Sequence, residues 1–116
     1  MASVAKGFLA GESMKRAAAL DVALRVIAPG LPAKDRAAVV DRARGSRQMR
    51  AAPAPVAAWA ALVAYARHGF TDYEALLAEG YDREAARHFT ADALRAVLAA
   101  WGCAAAALKD AGFRAE

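Results

Sequence analysis

A run of arginines is the feature of this sequence whose residue type and spacing best fit the binding of a ligand. The run is made up of Arg42, Arg44, Arg47 and Arg50, with no acidic residue among them, and it is preceded on the same predicted helix by Lys34 and Arg36. Several guanidinium groups on a mobile segment can follow a phosphate backbone, and each neutralised phosphate releases counterions. Cations also suit a helix C-terminus and keep a loop hydrated, so a structural explanation stays open.

The uneven distribution of charge agrees with an acidic partner for the N-terminal half of the chain. The formal net charge is +4, and it divides into +6 for residues 1–50, with ten Lys and Arg against four Asp and Glu, and −2 for residues 51–116, with six against eight. Most of the basic residues are arginines, which bind phosphate and carboxylate groups better than lysines do. We therefore expect the partner to be nucleic acid or an acidic protein surface.

Histidine is the residue type that would indicate acid–base catalysis, and the chain has two, His68 and His88. His68 with Asp72 or Glu74 has the composition of a general base and its orienting carboxylate. The acids are equally well explained by the start of a helix, and no nucleophile elbow, phosphate loop or metal-ligand spacing is present. We assign no catalytic residue, no metal site and no cofactor, and we rank an enzyme behind the two binding functions given below.

A helix-turn-helix reading of the later part of the chain is weaker. It would place a turn at Gly80 and direct Arg83, Arg87 and His88 at a DNA groove. The acids that alternate with these residues are Asp82, Glu84 and Asp92. Because carboxylates repel phosphate, and because the same helix must bury a long apolar stripe, we do not favour this geometry.

Composition predicts an all-α fold in a single domain. Alanine, the best helix former, accounts for 36 of the 116 residues, whereas glycine and proline are few. No segment has the roughly 20 apolar residues that a membrane span needs, and the N-terminus lacks the apolar stretch of a signal peptide. Cys103 is the only cysteine, so an intrachain disulfide is excluded. We expect a cytoplasmic protein that does not enter a membrane.

Capping and breaking residues divide the chain into about five helices. The predicted helices are residues 13–28, 32–44, 55–69, 72–79 and 83–101, within a helical domain of residues 13–102. Residues 1–12 are expected to be a flexible arm, residues 45–54 a linker and residues 103–116 an Ala-rich tail. Ser13 is the predicted cap of the first helix, and Thr71 and Glu74 form a predicted capping box, in which the Thr71 hydroxyl accepts from the Glu74 N–H and the carboxylate reaches back.

The hydrophobic periodicity predicts which side chains form the core. In the third predicted helix, Val56, Trp59, Val63 and Ala66 make a stripe that Leu62 broadens. In the fifth, the stripe is Ala86, Phe89, Ala93, Val97 and Trp101, with Leu94 and Leu98 beside it. We therefore predict a core centred on Trp59, Val63, Phe89, Val97 and Trp101. Tyr73 and Tyr81, each beside a helix start, are expected to be exposed.

Residues 66–89, ARHGFTDYEALLAEGYDREAARHF, resemble the signature of a bacterial and fungal family catalogued as domain of unknown function 2293. The matching positions are Arg67-His68, Thr71, Tyr73, Leu76-Leu77, Gly80, Arg83 and Ala86-Arg87. The resemblance extends over about residues 59–101, because the aliphatic pair and tryptophan that follow the signature correspond to Val97-Leu98 and Trp101. Glu74 stands where the family pattern has Asp, which keeps an acidic residue at the position.

The resemblance implies a helical family and brings no activity with it. It does draw attention to a polar set that a purely apolar core would leave unexplained: Arg67, His68, Tyr73, Arg83 and Arg87. Arg83 and Arg87 are four residues apart and share one helix face. If this face lies near His68 and Tyr73, the set could hold an anion or an acidic partner, or its arginines could pair with nearby glutamates.

Together these observations predict a compact five-helix domain that binds nucleic acid, or associates with it as an accessory protein, through the Arg-rich helix end and linker. The alternative is a protein–protein adaptor or homodimeric structural module, since Ala-rich helix faces allow close approach.

Overall fold

Helices account for the regular structure of the chain. The computed structural model describes the backbone of residues 2–111 and the side chains of residues 14–109. Within this range the helices are α1 (Ala2–Ile27), α2 (Ala33–Gly45), α3 (Arg47–Arg50), α4 (Ala54–Phe70), α5 (Tyr73–Ala78), α6 (Arg83–Ala100) and α7 (Ala105–Ala111), and there is no strand. The all-α class is confirmed. None of the helices in the described range is long and apolar enough to cross a membrane.

Several helix boundaries differ from those that local signals predicted. α1 begins at Ala2, so Ser13 lies inside a helix and does not cap one. The predicted linker contains α3, and α4 continues through Gly69 to Phe70. α7 occupies part of the predicted C-terminal tail, while Met1 and residues 112–116 of the predicted arm and tail lie outside the described residues. The flexibility of the arm and tail stays a prediction.

α4 is the central helix of the fold. It packs against α1, α2 and α6, and its buried residues are Ala57, Ala58, Ala61, Leu62, Val63, Ala64, Ala66 and Arg67. Alanine at five of these positions lets the surrounding helices approach closely, because a methyl group adds little to the helix radius. Larger side chains then close the core from outside, with Leu20 and Leu24 on α1 and Leu94 and Leu98 on α6.

The face of α6 that is buried in the core differs from the predicted face. Phe89 is 62% exposed, and the buried stripe of α6 consists of Ala86, Thr90, Leu94 and Leu98, four residues apart. The prediction for Phe89 was wrong because it followed the largest side chain onto a neighbouring stripe. Val56 is also exposed, while Trp59 and Val97 are only partly buried against the core. Val63 and Trp101 are buried as expected.

A close backbone contact joins the turn after α1 to the end of α6. The Gly30 N–H donates to the Trp101 carbonyl oxygen at 2.8 Å. A Cβ atom at Gly30 would lie 3.2 Å from backbone atoms of Trp101, so the glycine leaves room for this contact. Gly102, with φ of +88°, adopts the left-handed conformation that ends α6 against Pro29. The contacts at these two glycines hold the turn after α1 against the end of α6.

Candidate functional site

The arginine run lies at a corner where α2 ends and α3 begins. Arg42, Arg47 and Arg50 are exposed, while Arg44 is half-buried. Arg42 and Arg44 are in the last turn of α2, where cations interact favourably with the negative end of the helix dipole. We call the three exposed arginines, Arg42, Arg47 and Arg50, the basic surface.

Ser46 joins the two helices at this corner. It follows the last residue of α2 in an extended conformation and serves as the N-cap of α3. Its Oγ accepts a hydrogen bond of 3.3 Å from the Met49 N–H. Serine is a preferred N-cap residue, because its side chain satisfies a backbone donor that the helix itself leaves free. The short helix therefore starts directly after α2.

α1 holds this corner in place through Arg16. Its Nη2 atom donates to the carbonyl oxygens of Met49, at 3.0 Å, and Ala52, at 2.5 Å. Both carbonyls follow the end of α3 or lie within it, so the guanidinium ties the segment to a helix more than thirty residues earlier in the chain. The segment that the sequence predicted to be a linker therefore contains a short helix and a turn, both with a carbonyl that accepts a hydrogen bond from Arg16. Arg16 was missed by the sequence analysis, which gave this residue no role.

Arg36 differs from the exposed arginines, because it joins two helices of the fold. Its side chain is 17% exposed, and its Nε donates to Asp21 Oδ1 at 2.8 Å. The other carboxylate oxygen of Asp21 accepts from Arg25 Nε, also at 2.8 Å. The hydrogen bonds from Arg25 and then Arg36 lower the pKa of Asp21. Arg36 thus connects α2 to α1, and little of it is available to an external ligand.

The outer face of α2 carries an acidic residue as well as basic ones. Lys34 is exposed at the start of this helix, and exposed Asp41 follows seven residues later on the same face. The outer face of α2 therefore carries charges of both signs. Between Arg42 and Arg50 no acid is present, so the positive charge is concentrated at the α2–α3 corner.

A second polar cluster occupies the junction of α4 and α5. Arg67 has no exposed surface, and its guanidinium carbon lies 5.8 Å from the centre of the Tyr73 ring. The ring of His68 meets Tyr73 edge-on, with centroids 5.1 Å apart, and its Nδ1 contacts Glu74 Oε1. Tyr73 is 2% exposed, so the expectation that it is exposed was wrong, whereas Tyr81 is exposed as expected.

The predicted capping box is replaced by a different arrangement. The Thr71 hydroxyl donates to the Arg67 carbonyl oxygen at 2.6 Å and accepts from the Tyr73 N–H at 3.2 Å. Asp72 is the N-cap of α5 and its side chain makes no capping hydrogen bond. Glu74 turns to His68, because the end of α4 brings the Nδ1 atom of that ring within reach of its carboxylate. Thr71 therefore joins the two helices, and the proposed exchange of hydrogen bonds with Glu74 was wrong.

The predicted polar set is divided between the interior and the surface. Arg67, His68 and Tyr73 come together at the α4–α5 junction, with Arg67 and Tyr73 buried. Arg83 is exposed at the first residue of α6, and Arg87 is half-buried with an Nε atom that has no acceptor among the described residues. A ligand in solvent cannot touch a buried guanidinium without rearrangement, so the geometry at Arg67 fits a structural role.

The thiol of Cys103 is buried. Burial raises the pKa of the Cys103 thiol to about 11, so the thiolate is scarce at neutral pH. Across the side chains that the structure describes, no three His, Cys, Asp or Glu residues are grouped so that they could hold a metal ion.

Comparison with known proteins identifies the family. The family model described as "Uncharacterized conserved protein (DUF2293)" matches residues 23–102. The match begins near the end of α1 and continues to the end of α6, so it includes α2, α3 and the basic surface as well as the signature seen in the sequence. No curated protein and no solved structure matches the chain.

Proposed function

The chain belongs to the DUF2293 family, and we propose that it binds nucleic acid through the basic surface at the α2–α3 corner, as an accessory protein in the cytoplasm. The observation that carries the proposal is the fixed corner itself. Arg16 and Ser46 hold the backbone of α3, and Arg42, Arg47 and Arg50 are exposed around it. Folding therefore already orders this backbone, so a ligand can bind it without a further loss of backbone conformational entropy.

The chemistry of the basic surface suits phosphate groups. Guanidinium groups donate paired hydrogen bonds to phosphate oxygens and keep their charge at every physiological pH. The part of the chain from residue 42 to residue 50 contributes four positive charges and no negative one. Contacts of this kind position a protein on a nucleic-acid backbone and carry no base information directly. We therefore propose binding that depends weakly on nucleotide sequence.

A pair of matched variants tests the proposal. Arg47→Gln/Arg50→Gln removes two exposed charges from the basic surface, and Arg83→Gln/Lys109→Gln removes two exposed charges from α6 and α7. Fluorescence anisotropy of labelled duplex DNA, single-stranded DNA and RNA gives the affinity of each protein at two salt concentrations. We expect the first variant to bind every probe more weakly than the wild type, by a similar factor for each sequence tested.

The second variant separates the basic surface from general electrostatics. It should bind more tightly than Arg47→Gln/Arg50→Gln, although the two proteins have the same net charge. If instead the α6 and α7 substitutions abolish binding, Arg83 is the contact and the helix-turn-helix geometry gains support. If the wild type binds none of the probes at about 50 mM salt, where phosphate contacts are strong, the proposal fails. The adaptor or homodimer function then takes its place.

A further inference from the structure

An apolar groove lies between α1 and the start of α4, and no ionisable side chain lines it. Its volume is about 580 Å³, and it is lined by Ala18, Ala19, Val22, Ala23, Val26, Ile27, Ala54 and Pro55. Val22 is 61% exposed and Val26 is 78% exposed. The two valines stand four residues apart on the outer face of α1, beside the alanines that form the floor.

The geometry of the groove fits a helix better than an extended strand. The lining backbone belongs to α1 and to the start of α4, where Pro53, the N-cap residue, and Pro55 have no backbone N–H. A strand needs an edge of free N–H and C=O groups to pair with, and the interior of a helix offers none. A row of small residues beside a row of valines instead makes a groove and a ridge, which is the surface that packs against another helix.

The charges around the groove are positive. Lys15 is exposed seven residues before Val22, and Arg25 is exposed three residues after it, so both share the outer face of α1. The nearest acid on the helix, Asp21, already accepts hydrogen bonds from Arg25 and Arg36.

These charges decide between a second copy of the chain and a different partner. An isologous dimer formed by this face would set Lys15 and Arg25 against the same residues of the other copy. Asp21, the one acid among the described side chains of α1, is already shared by Arg25 and Arg36. A partner helix with an apolar stripe would fit the groove, and glutamates or aspartates along the edge of that stripe would complement the positive charges of Lys15 and Arg25. Complementary charge at the rim of an interface also steers the encounter of the two partners.

We propose that the α1–α4 groove binds an acidic amphipathic helix of a partner protein. Leucine-sized side chains of that helix would fill the space beside Val22 and Val26, and its acidic edge would face Lys15 and Arg25. The proposal does not depend on nucleic-acid binding, because none of the lining residues belongs to the basic surface.

Selection from a peptide library tests the proposal with the full-length protein. The library consists of helical peptides of about 18 residues, five turns, with leucines on one stripe and flanking positions drawn from Glu, Lys, Gln and Ser. We expect the selected peptides to carry Glu at the flanks. Selection of Lys-flanked or neutral peptides, or of none that bind, would overturn the proposal.

Variants of the protein then locate the bound peptide. Val22→Glu and Val26→Glu place a carboxylate in the groove. Each should weaken binding of a selected peptide about tenfold or more, because a valine that the peptide would cover is replaced by a charge. Phe89→Glu alters an aromatic of similar exposure on α6 and should leave the affinity unchanged. A peptide that binds Val22→Glu as well as the wild type does not occupy this groove.

Three further measurements complete the test. Lys15→Glu/Arg25→Glu reverses the charge of the rim. A Glu-flanked peptide should therefore bind this variant less tightly than the wild type, and a Lys-flanked peptide should bind it more tightly.

Sedimentation of the unliganded protein reports self-association. A wild-type dimer that Val22→Glu converts to a monomer would show that a second copy fills the groove, against the proposal. Arg47→Gln/Arg50→Gln should bind the peptide normally even if it has lost nucleic acid.

Discussion

Arg16 donates a hydrogen bond of 3.0 Å to the carbonyl oxygen of Met49, which lies 33 residues further along the chain. The same Nη2 atom reaches the Ala52 carbonyl oxygen. Because these carbonyls lie at the end of α3, one guanidinium fixes the short helix that carries Arg47 and Arg50. A residue of the longest helix thus positions the surface that we propose binds nucleic acid.

Replacing Arg16 by Ala should therefore destabilise the fold and loosen the corner. Hydrogen bonds from a charged donor contribute about 1.5–3 kcal/mol, so we expect a lower thermal midpoint together with faster amide exchange in residues 49–52. Arg25→Ala is the matched control, because it removes an arginine of the same helix whose ion pair with Asp21 is largely exposed. Equal effects of the two substitutions would show that Arg16 does not anchor α3.

This anchor illustrates what the sequence could not provide. Helix order followed from local signals, since the proline-glycine pair after α1, Gly80 and Gly102 mark where helices end. The partner of Arg16 is a backbone carbonyl more than thirty residues away, and every residue type supplies the same carbonyl. No pattern in the sequence therefore identifies it, and the segment around Met49 was predicted to be a mobile linker.

The core and the polar cluster were also predictable from the sequence only in part. Periodicity established that α6 is amphipathic, but the stripe through Phe89 and the stripe through Leu94 lie next to each other on the helix. Which of them is buried depends on the packing of α6 against α4. The burial of Arg67 had an indirect signal, because the Arg-His pair belongs to the family signature, yet charge alone predicts an exposed residue at that position.

Replacement of Trp101 should destabilise the fold strongly, whereas replacement of Phe89, in the same predicted stripe, should not. Its ring lies edge-on to Phe70, with centroids 5.1 Å apart, and it also contacts Tyr65. Trp101→Ala is expected to cost about 3–5 kcal/mol, as the removal of a large buried aromatic does. Phe89→Ala, at an exposed position, should change the unfolding free energy little. Urea unfolding of both variants measures the difference, and similar losses would place Phe89 in the core.

Removal of the Thr71 hydroxyl should weaken the junction between α4 and α5. Thr71→Val keeps the shape of the side chain but loses the hydrogen bonds to the Arg67 carbonyl oxygen and the Tyr73 N–H. We expect a loss of about 1 kcal/mol. Thr71→Ser retains the hydroxyl and should remain close to the wild type in thermal unfolding. A Val variant as stable as the Ser variant would exclude this linking role.

Alkaline pH should destabilise the protein through Tyr65. Its hydroxyl donates to Asp35 Oδ1 at 2.5 Å, and this hydrogen bond, followed by burial, raises the pKa of Tyr65 from 10.0 to about 12. A group whose pKa is raised by folding stabilises the folded state below its unfolded pKa. The contribution of Tyr65 is therefore complete below pH 10.0 and is lost as the pH approaches about 12.

The tyrosinate absorbance of the folded protein checks this assignment. Tyr65 should ionise well above pH 10.0, and Tyr65→Phe should remove that step from the titration. Asp35→Asn takes away the negative acceptor, so the same step should move towards lower pH. If Tyr65→Phe removes no ionisation step above pH 10.0, the link between Tyr65 and Asp35 does not operate in solution.

The salt dependence of nucleic-acid binding tests the central claim most directly. Each arginine that neutralises a phosphate should contribute about 0.9 to the slope of log affinity against log salt concentration for duplex DNA, and about 0.7 for a single strand. Arg47→Gln/Arg50→Gln should therefore reduce the slope by about 1.8 or about 1.4, respectively, with an unchanged thermal midpoint. A slope equal to that of the wild type would show that the basic surface does not contact phosphate.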